Sequence, residues 1–158
     1  MIGRISLFAE YNTVEVIRVN NTLIVAIDGS QQSLSAIDYA VKLARASGYT
    51  IELLHVQPKI NTHYANKKIG KKQLQEYKKE QAMKVLKKGK MRVDKDVDLK
   101  VKWRQGLTAE EVCCEAKDVQ ALGIIMGARS VKKIKGRLLG STCYSVIKNA
   151  PCPVTIVS

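Results

Sequence analysis

Residues 22–56 read TLIVAIDGSQQSLSAIDYAVKLARASGYTIELLHV, and the pattern changes three times within them. Thr22 to Ile27 is a short apolar run of strand length, stopped by Asp28 and Gly29, which predicts a strand buried on both faces. Ser30 is a good N-cap. Leu34, Ile37, Val41 and Ala44 then recur at helical spacing until Gly48, placed as a C′ glycine, ends the run. Ile51, Leu53, Leu54 and Val56 form a second strand run that Pro58 stops. Two strands joined through a helix predict a βαβ unit with parallel strands.

The same alternation continues downstream. Between Lys59 and Lys102 lysine dominates, with a polar loop over Ile60 to Gly70. Leu74, Tyr77, Val85 and Leu86 keep a roughly helical spacing, so Lys71 to Lys90 is predicted as an amphipathic helix with a lysine-rich outer face. Val97, Leu99, Val101 and Trp103 alternate with charged residues, as in a strand near the sheet edge with one side exposed. After Gly106, Thr108 and Glu111 have the spacing of a capping box opening a helix through Val112 and Ala116. Leu122, Ile124, Ile125 and Met126 form a buried strand stopped at Gly127. Gly140, Ser141 and Thr142 open a helix through Tyr144, Val146 and Ile147, which Pro151 and Pro153 terminate, and Val154 to Val157 is the last strand. Five strands alternating with four helices predict a doubly wound parallel sheet with helices on both faces, an α/β fold of Rossmann-like type. Residues 1–20 stand outside this repeat, as an irregular arm or an extra strand built on Val14, Val16, Ile17 and Val19, and residues 21–158 form one domain.

Composition narrows the function classes. A chain of 158 residues with 46% hydrophobic residues can form one core, which argues against global disorder. Nothing approaches the roughly 18 consecutive apolar residues that span a bilayer, and Met1 to Asn20 lacks the layout of a signal peptide, so the expected compartment is the cytoplasm. Cys113, Cys114, Cys143 and Cys152 form no C-x-x-C pair and have no spaced histidine partners, which leaves them as plain thiols and predicts no metal site. The net charge of +13 favours anionic partners. Nucleic acid is not the expected one, because aromatic residues are few and do not interleave with the basic ones.

In an open α/β sheet a ligand sits beyond the carboxyl ends of the strands, where the strand order reverses. Asp28, after the first strand, could accept hydrogen bonds from ribose hydroxyls or help hold a metal, or it is a turn aspartate that caps the following helix. Val56 could offer backbone groups and an apolar wall to an adenine, or it is core packing at a strand end. The strongest signal runs from Gly127, Ala128, Arg129 and Ser130 through nine further residues to Gly140, Ser141 and Thr142. Gly127 would let the backbone approach a ligand, and the N–H groups at the start of the following helix would hold phosphate oxygens. Arg129, Lys132, Lys133, Lys135 and Arg137 make that loop basic; a flexible basic loop before a Ser-capped helix is the alternative.

Taken together and in order, AIDGS (26–30), LLHV (53–56), IIMGARS (124–130) with LLGSTCYSVI (138–147), and NAPCPVTIV (149–157) resemble the universal stress protein family. The resemblance covers Asn21 to Ser158. It implies a five-stranded parallel sheet of the adenine nucleotide alpha hydrolase-like class, and a homodimer formed through the last strand, Val154 to Val157. The ATP-binding branch carries a loop of the form G-x2-G-x9-G followed by Ser or Thr. By resemblance Ala26, Asp28 and Val56 line the adenosine side, while Met126, Gly127, Arg129, Ser130, Gly140, Ser141 and Thr142 bind ribose and phosphates of ATP, with or without Mg2+. The second glycine of the loop is Ser130 here. If the backbone there needs a positive φ, serine costs about 1–2 kcal/mol and narrows the phosphate gap, which weakens ATP binding without abolishing it.

The expected role is therefore a nucleotide-dependent dimeric switch in stress regulation. A nucleotide-free interaction or scaffold module is the alternative, and an adenylyl transferase would need an H-x-G-H signature that the chain lacks. No residue stands out as a base to position water, so no catalytic residue is assigned, and slow ATP hydrolysis or autophosphorylation is left open. His55, at a buried strand end, is expected to be a satisfied core histidine.

Overall fold

A computed structural model describes residues 20–59, 70–128 and 140–158. The predicted arm, the polar loop after Lys59 and the basic loop carrying Arg129 and Ser130 lie outside the described residues. In chain order the elements are β1 (Thr22–Ala26), α1 (Gln31–Ser47), β2 (Thr50–Gln57), α2 (Lys71–Lys90), β3 (Leu99–Gln105), α3 (Thr108–Asp118), β4 (Gly123–Gly127), α4 (Ser141–Asn149) and β5 (Val154–Val157). All neighbouring strands are parallel, in the order β3-β2-β1-β4-β5. The chain thus winds outward from β1 in one direction, then returns and winds in the other. That reversal separates the C-terminal ends of β1 and β4, which pair in register from Leu23 with Gly123 to Ala26 with Met126.

The central strands read as unbroken apolar runs because both faces are covered. Val25, Ile51 and Leu53 pack beneath α1 and α2 with Leu34, Ile37, Val41 and Leu86. Ile24, Leu54 and Ile124 pack beneath α3 and α4 with Val112, Ala116 and Val146. Helix α1 begins and ends as its sequence predicts: the Ser30 hydroxyl accepts from the Ser33 N–H at 3.2 Å, and Gly48 takes φ 69°. Helix α2 lies close on the sheet at Gly89, where a Cβ would come within 2.8 Å of Ile27 Cδ1. Its lysines are mostly solvent-facing, but Lys78 lies on the inner side and is buried.

The capping box expected at α3 does not form. Leu107 is the N-cap, no side chain caps the first turn, and Thr108 is already helical. Glu111 turns instead to Arg104 on β3, whose Nε donates to its carboxylate at 2.7 Å. A charged partner outcompetes a backbone N–H for that carboxylate, since an ion-paired hydrogen bond is the stronger one.

Candidate functional site

Beyond the C-terminal ends of the strands lies a cleft of about 640 Å³. Its floor is the switch point. Ala26, Ile27 and Asp28 enter from β1, Val56, Gln57 and Pro58 from β2, and Met126 and Gly127 from β4. Gly140, Ser141, Thr142 and Cys143 enter from the start of α4. The structure therefore brings together eight of the residues singled out in the sequence: Ala26, Asp28, Val56, Met126, Gly127, Gly140, Ser141 and Thr142. Arg129 and Ser130 are outside the described residues.

Two helices point their N-termini at this cleft, and they are finished differently. At α1 the turn is closed by side chains: Asp28 Oδ1 accepts from the Ser30 N–H at 2.9 Å, and Ser30 in turn caps Ser33. Asp28 is thus a turn aspartate, and its exposed carboxylate also lines the cleft. At α4 the N-cap is Gly140, with φ −68° and ψ 154°, and it brings no side-chain hydrogen bond to the first turn. The early N–H groups of a helix have no intrahelical acceptor and carry the positive end of its dipole, and a glycine N-cap leaves the approach to them open to a ligand. The hydroxyls of Ser141 and Thr142 flank it.

Gly127 has a different reason from the one its sequence context suggests. A Cβ there would collide with the backbone of Gln32 and Ser33, so the glycine lets the first turn of α1 close against the end of β4. The close approach is made by the protein's own chain, and it fixes the two walls of the cleft relative to each other. His55 is buried at the strand end, and its Nδ1 lies 2.7 Å from the Ile27 carbonyl. A carbonyl only accepts, so Nδ1 carries the proton and the ring is held as the satisfied histidine expected at that position.

Sequence reasoning missed the contribution of the lysine-rich helix. Tyr77, Gln81 and Val85 line the cleft from α2. Their spacing of four places them on one stripe of the helix, but the sequence reading counts Tyr77 and Val85 only among its apolar positions and does not single out Gln81. Ser33, Thr108 and Val112 also reach the cleft without having been singled out. Among the described residues no group of three or more His, Cys, Asp or Glu side chains could hold a metal ion.

A second polar cluster lies on the same strand, β2, under α3. Glu115 is fully buried and accepts from Lys102 Nζ at 2.7 Å and from Arg104 at 2.6 Å. Arg104 also binds Glu111 and Asp118. Burial pushes the Glu115 carboxyl up, but its hydrogen bonds from Lys102 and Arg104 outweigh that and hold it below the usual value. Glu52 beside it is pushed the other way, first by burial and then by the negative charge of Glu115 and a hydrogen bond with it. Of the two carboxyls, Glu52 is therefore the one that takes up a proton first as the pH falls. Its Oε1 is buried without a hydrogen-bond partner, which a neutral carbonyl oxygen tolerates far better than a charged one.

One family model, that of the universal stress protein family, matches residues 20–158. The chain belongs to the universal stress protein family. It is 32% identical over 146 residues to the universal stress protein YxiE of Bacillus subtilis, with 87% of this chain and 98% of the relative covered. Among solved structures, hypothetical protein MJ0577 superposes with a TM-score of 0.71 at 23% identity, over 87% of this chain and 95% of that one. A universal stress protein in complex with cAMP superposes with a TM-score of 0.61 at 23% identity, over 87% and 97% of the two chains. At these identities the structural likeness establishes the fold. Among the described residues no helix is long and apolar enough to cross a membrane.

Proposed function

We propose that this universal stress protein is a cytoplasmic regulator that binds ATP in the switch-point cleft and changes an interaction surface when the nucleotide is bound. The observation that carries the reading is the meeting of three features in one cleft: the first turn of α4 behind its glycine N-cap, the Asp28 carboxylate and the apolar strand end at Val56. The first suits phosphate oxygens and the second suits ribose hydroxyls. The third suits an adenine, whose edge can bond backbone groups at a strand end. A relative of the same fold is known in complex with cAMP, an adenine nucleotide, which supports this assignment. Mg2+ would enter on the phosphates with the Asp28 carboxylate that lines the cleft, since Mg2+ is commonly held by one or two carboxylates together with substrate phosphates. No residue of the cleft is placed as a catalytic base, so the reading is that of a switch.

Calorimetry with ATP·Mg and AMP tests the assignment, beside Gly140→Val. Gly140 is buried at the cleft and has an extended backbone that valine also adopts, so the substitution fills space without a left-handed backbone penalty. Binding of both nucleotides by the wild type and loss of ATP binding in the variant is the expected result. Absence of heat with either nucleotide in the wild type would point to a nucleotide-free interaction module, and unchanged ATP binding in the variant would place the site elsewhere.

The reading includes a homodimer through β5. This strand pairs with β4 on one side and is the edge of the sheet on the other, with Tyr144 and Ile147 of α4 exposed nearby in sequence. An edge strand leaves one row of backbone groups to be paired, and a second copy can supply them. Sizing chromatography with light scattering at micromolar concentration should give twice the chain mass; a monomer there removes the dimer from the proposal.

A further inference from the structure

Helix α2 is the part of the molecule whose sequence is least explained by the sheet. Most of its length is lysine, glutamine and glutamate, yet Tyr77 stands among them with 57% of its surface exposed. Tyr77, Gln81 and Val85 are four residues apart and therefore form one stripe, and all three line the cleft. The stripe is tied to the loop that carries Asp28. Val85 methyl carbons lie 3.6 and 3.7 Å from where a Cβ on Gly29 would be, and one turn further on Lys88 Nζ donates to the Gly29 carbonyl at 3.0 Å. Gln57 and Pro58 at the end of β2 line the cleft as well, whereas the Val56 side chain packs on the opposite face of the sheet with Met126 and Cys143. One end of the cleft thus offers N–H groups and hydroxyls. The end at α2 offers an aromatic ring, an aliphatic wall and a primary amide.

We propose that the Tyr77–Gln81 stripe of α2 is the base-selecting wall of the site: the Tyr77 ring packs against the face of a purine, and the Gln81 amide bonds its edge. The inference rests on the nucleotide reading above and deepens it. The chemistry follows from the groups. A half-exposed aromatic ring at the mouth of a cleft gains by covering itself with a second flat ring, and stacking of this kind does not depend on charge. A primary amide both donates and accepts, which matches the adjacent donor and acceptor on a purine edge. Selection by this wall is therefore for the base, whereas α4 reads the phosphates.

The test compares AMP, ATP and inorganic triphosphate by calorimetry on wild type, Tyr77→Ala, Tyr77→Phe and Gln81→Ala. Tyr77→Ala should weaken both nucleotides by about tenfold, the equivalent of about 1.4 kcal/mol, and leave triphosphate binding unchanged. Tyr77→Phe should keep wild-type affinity because it keeps the ring. Gln81→Ala should weaken AMP more than it weakens a purine riboside monophosphate that lacks the amino group. Equal AMP affinity in Tyr77→Ala and wild type overturns the proposal while leaving the nucleotide reading intact. A wild type that binds neither nucleotide overturns both. Nitration by tetranitromethane read by peptide mass gives an independent check, since saturating AMP should protect Tyr77 selectively; an unprotected Tyr77 also overturns the proposal.

Discussion

Strand β2 carries two polar regions a few residues apart, and they are built in opposite ways. Under α3, Glu52 and Glu115 are buried and meet Lys102 and Arg104, so that almost every charge is spent inside the protein. At the end of the same strand, Val56, Gln57 and Pro58 open onto a cleft where hydroxyls, backbone N–H groups and an amide surround space. The first region has strong interactions and no room. The second has room and weaker interactions among its own members. Charge density alone would have ranked them the wrong way round, because a cluster that consumes its own hydrogen-bonding capacity has none to offer a ligand.

That contrast is broken most severely by Glu115→Ala. Removing the shared carboxylate leaves Lys102 and Arg104 without their buried acceptor, while Arg104 keeps Glu111 and Asp118, so the loss is that of donors left unsatisfied, about 1–3 kcal/mol. Urea denaturation should show this loss as a lower midpoint. AMP and ATP affinities, measured where the variant is still folded, should stay at wild-type values, since none of these four charged side chains lines the cleft. A large loss of affinity in the folded variant would mean that the two regions are one functional unit.

The sequence was most legible where one local rule decides an element. The apolar runs at β1, β2 and β4, the Ser30 cap and the Gly48 terminus are each enforced by neighbours within a few residues. Helix α2 also has the bounds predicted for it, Lys71 and Lys90. What was not legible depends on partners distant in the chain. Glu111 has the spacing of a capping residue, but Arg104 takes it. Gly127 sits in a phosphate-loop pattern, yet its missing side chain makes room for Gln32 and Ser33, almost a hundred positions away. Tyr77 and Gln81 belong to a helix whose relation to the cleft arises only when β2 and β1 pair. The family motifs pointed to strand ends that do line the cleft, because those residues follow strands directly; Tyr77 and Gln81 of α2 lie outside those motifs and had no such marker.

The smaller effect that sharpens the contrast is the pH dependence of the buried pair. Glu115 is held below the ordinary glutamate value of 4.5, so the stability it contributes is present above that value and is lost as pH falls through its folded pKa. Glu52 is held above 4.5, so its contribution is present below that value and is lost as pH rises through its own raised pKa. Both contributions survive only between the two, which puts a maximum of stability there and a decline on the alkaline side that an ordinary exposed glutamate would not cause. Glu52→Gln keeps the shape and the donor to Glu115 but cannot ionise. Denaturation midpoints measured from pH 2 to pH 9 should therefore show the alkaline decline in wild type and its removal in Glu52→Gln, with the acid limb, which belongs to Glu115, unchanged. If the variant declines as steeply as wild type on the alkaline side, the proton is not held on Glu52, and the region under α3 is less closed to water than its geometry implies.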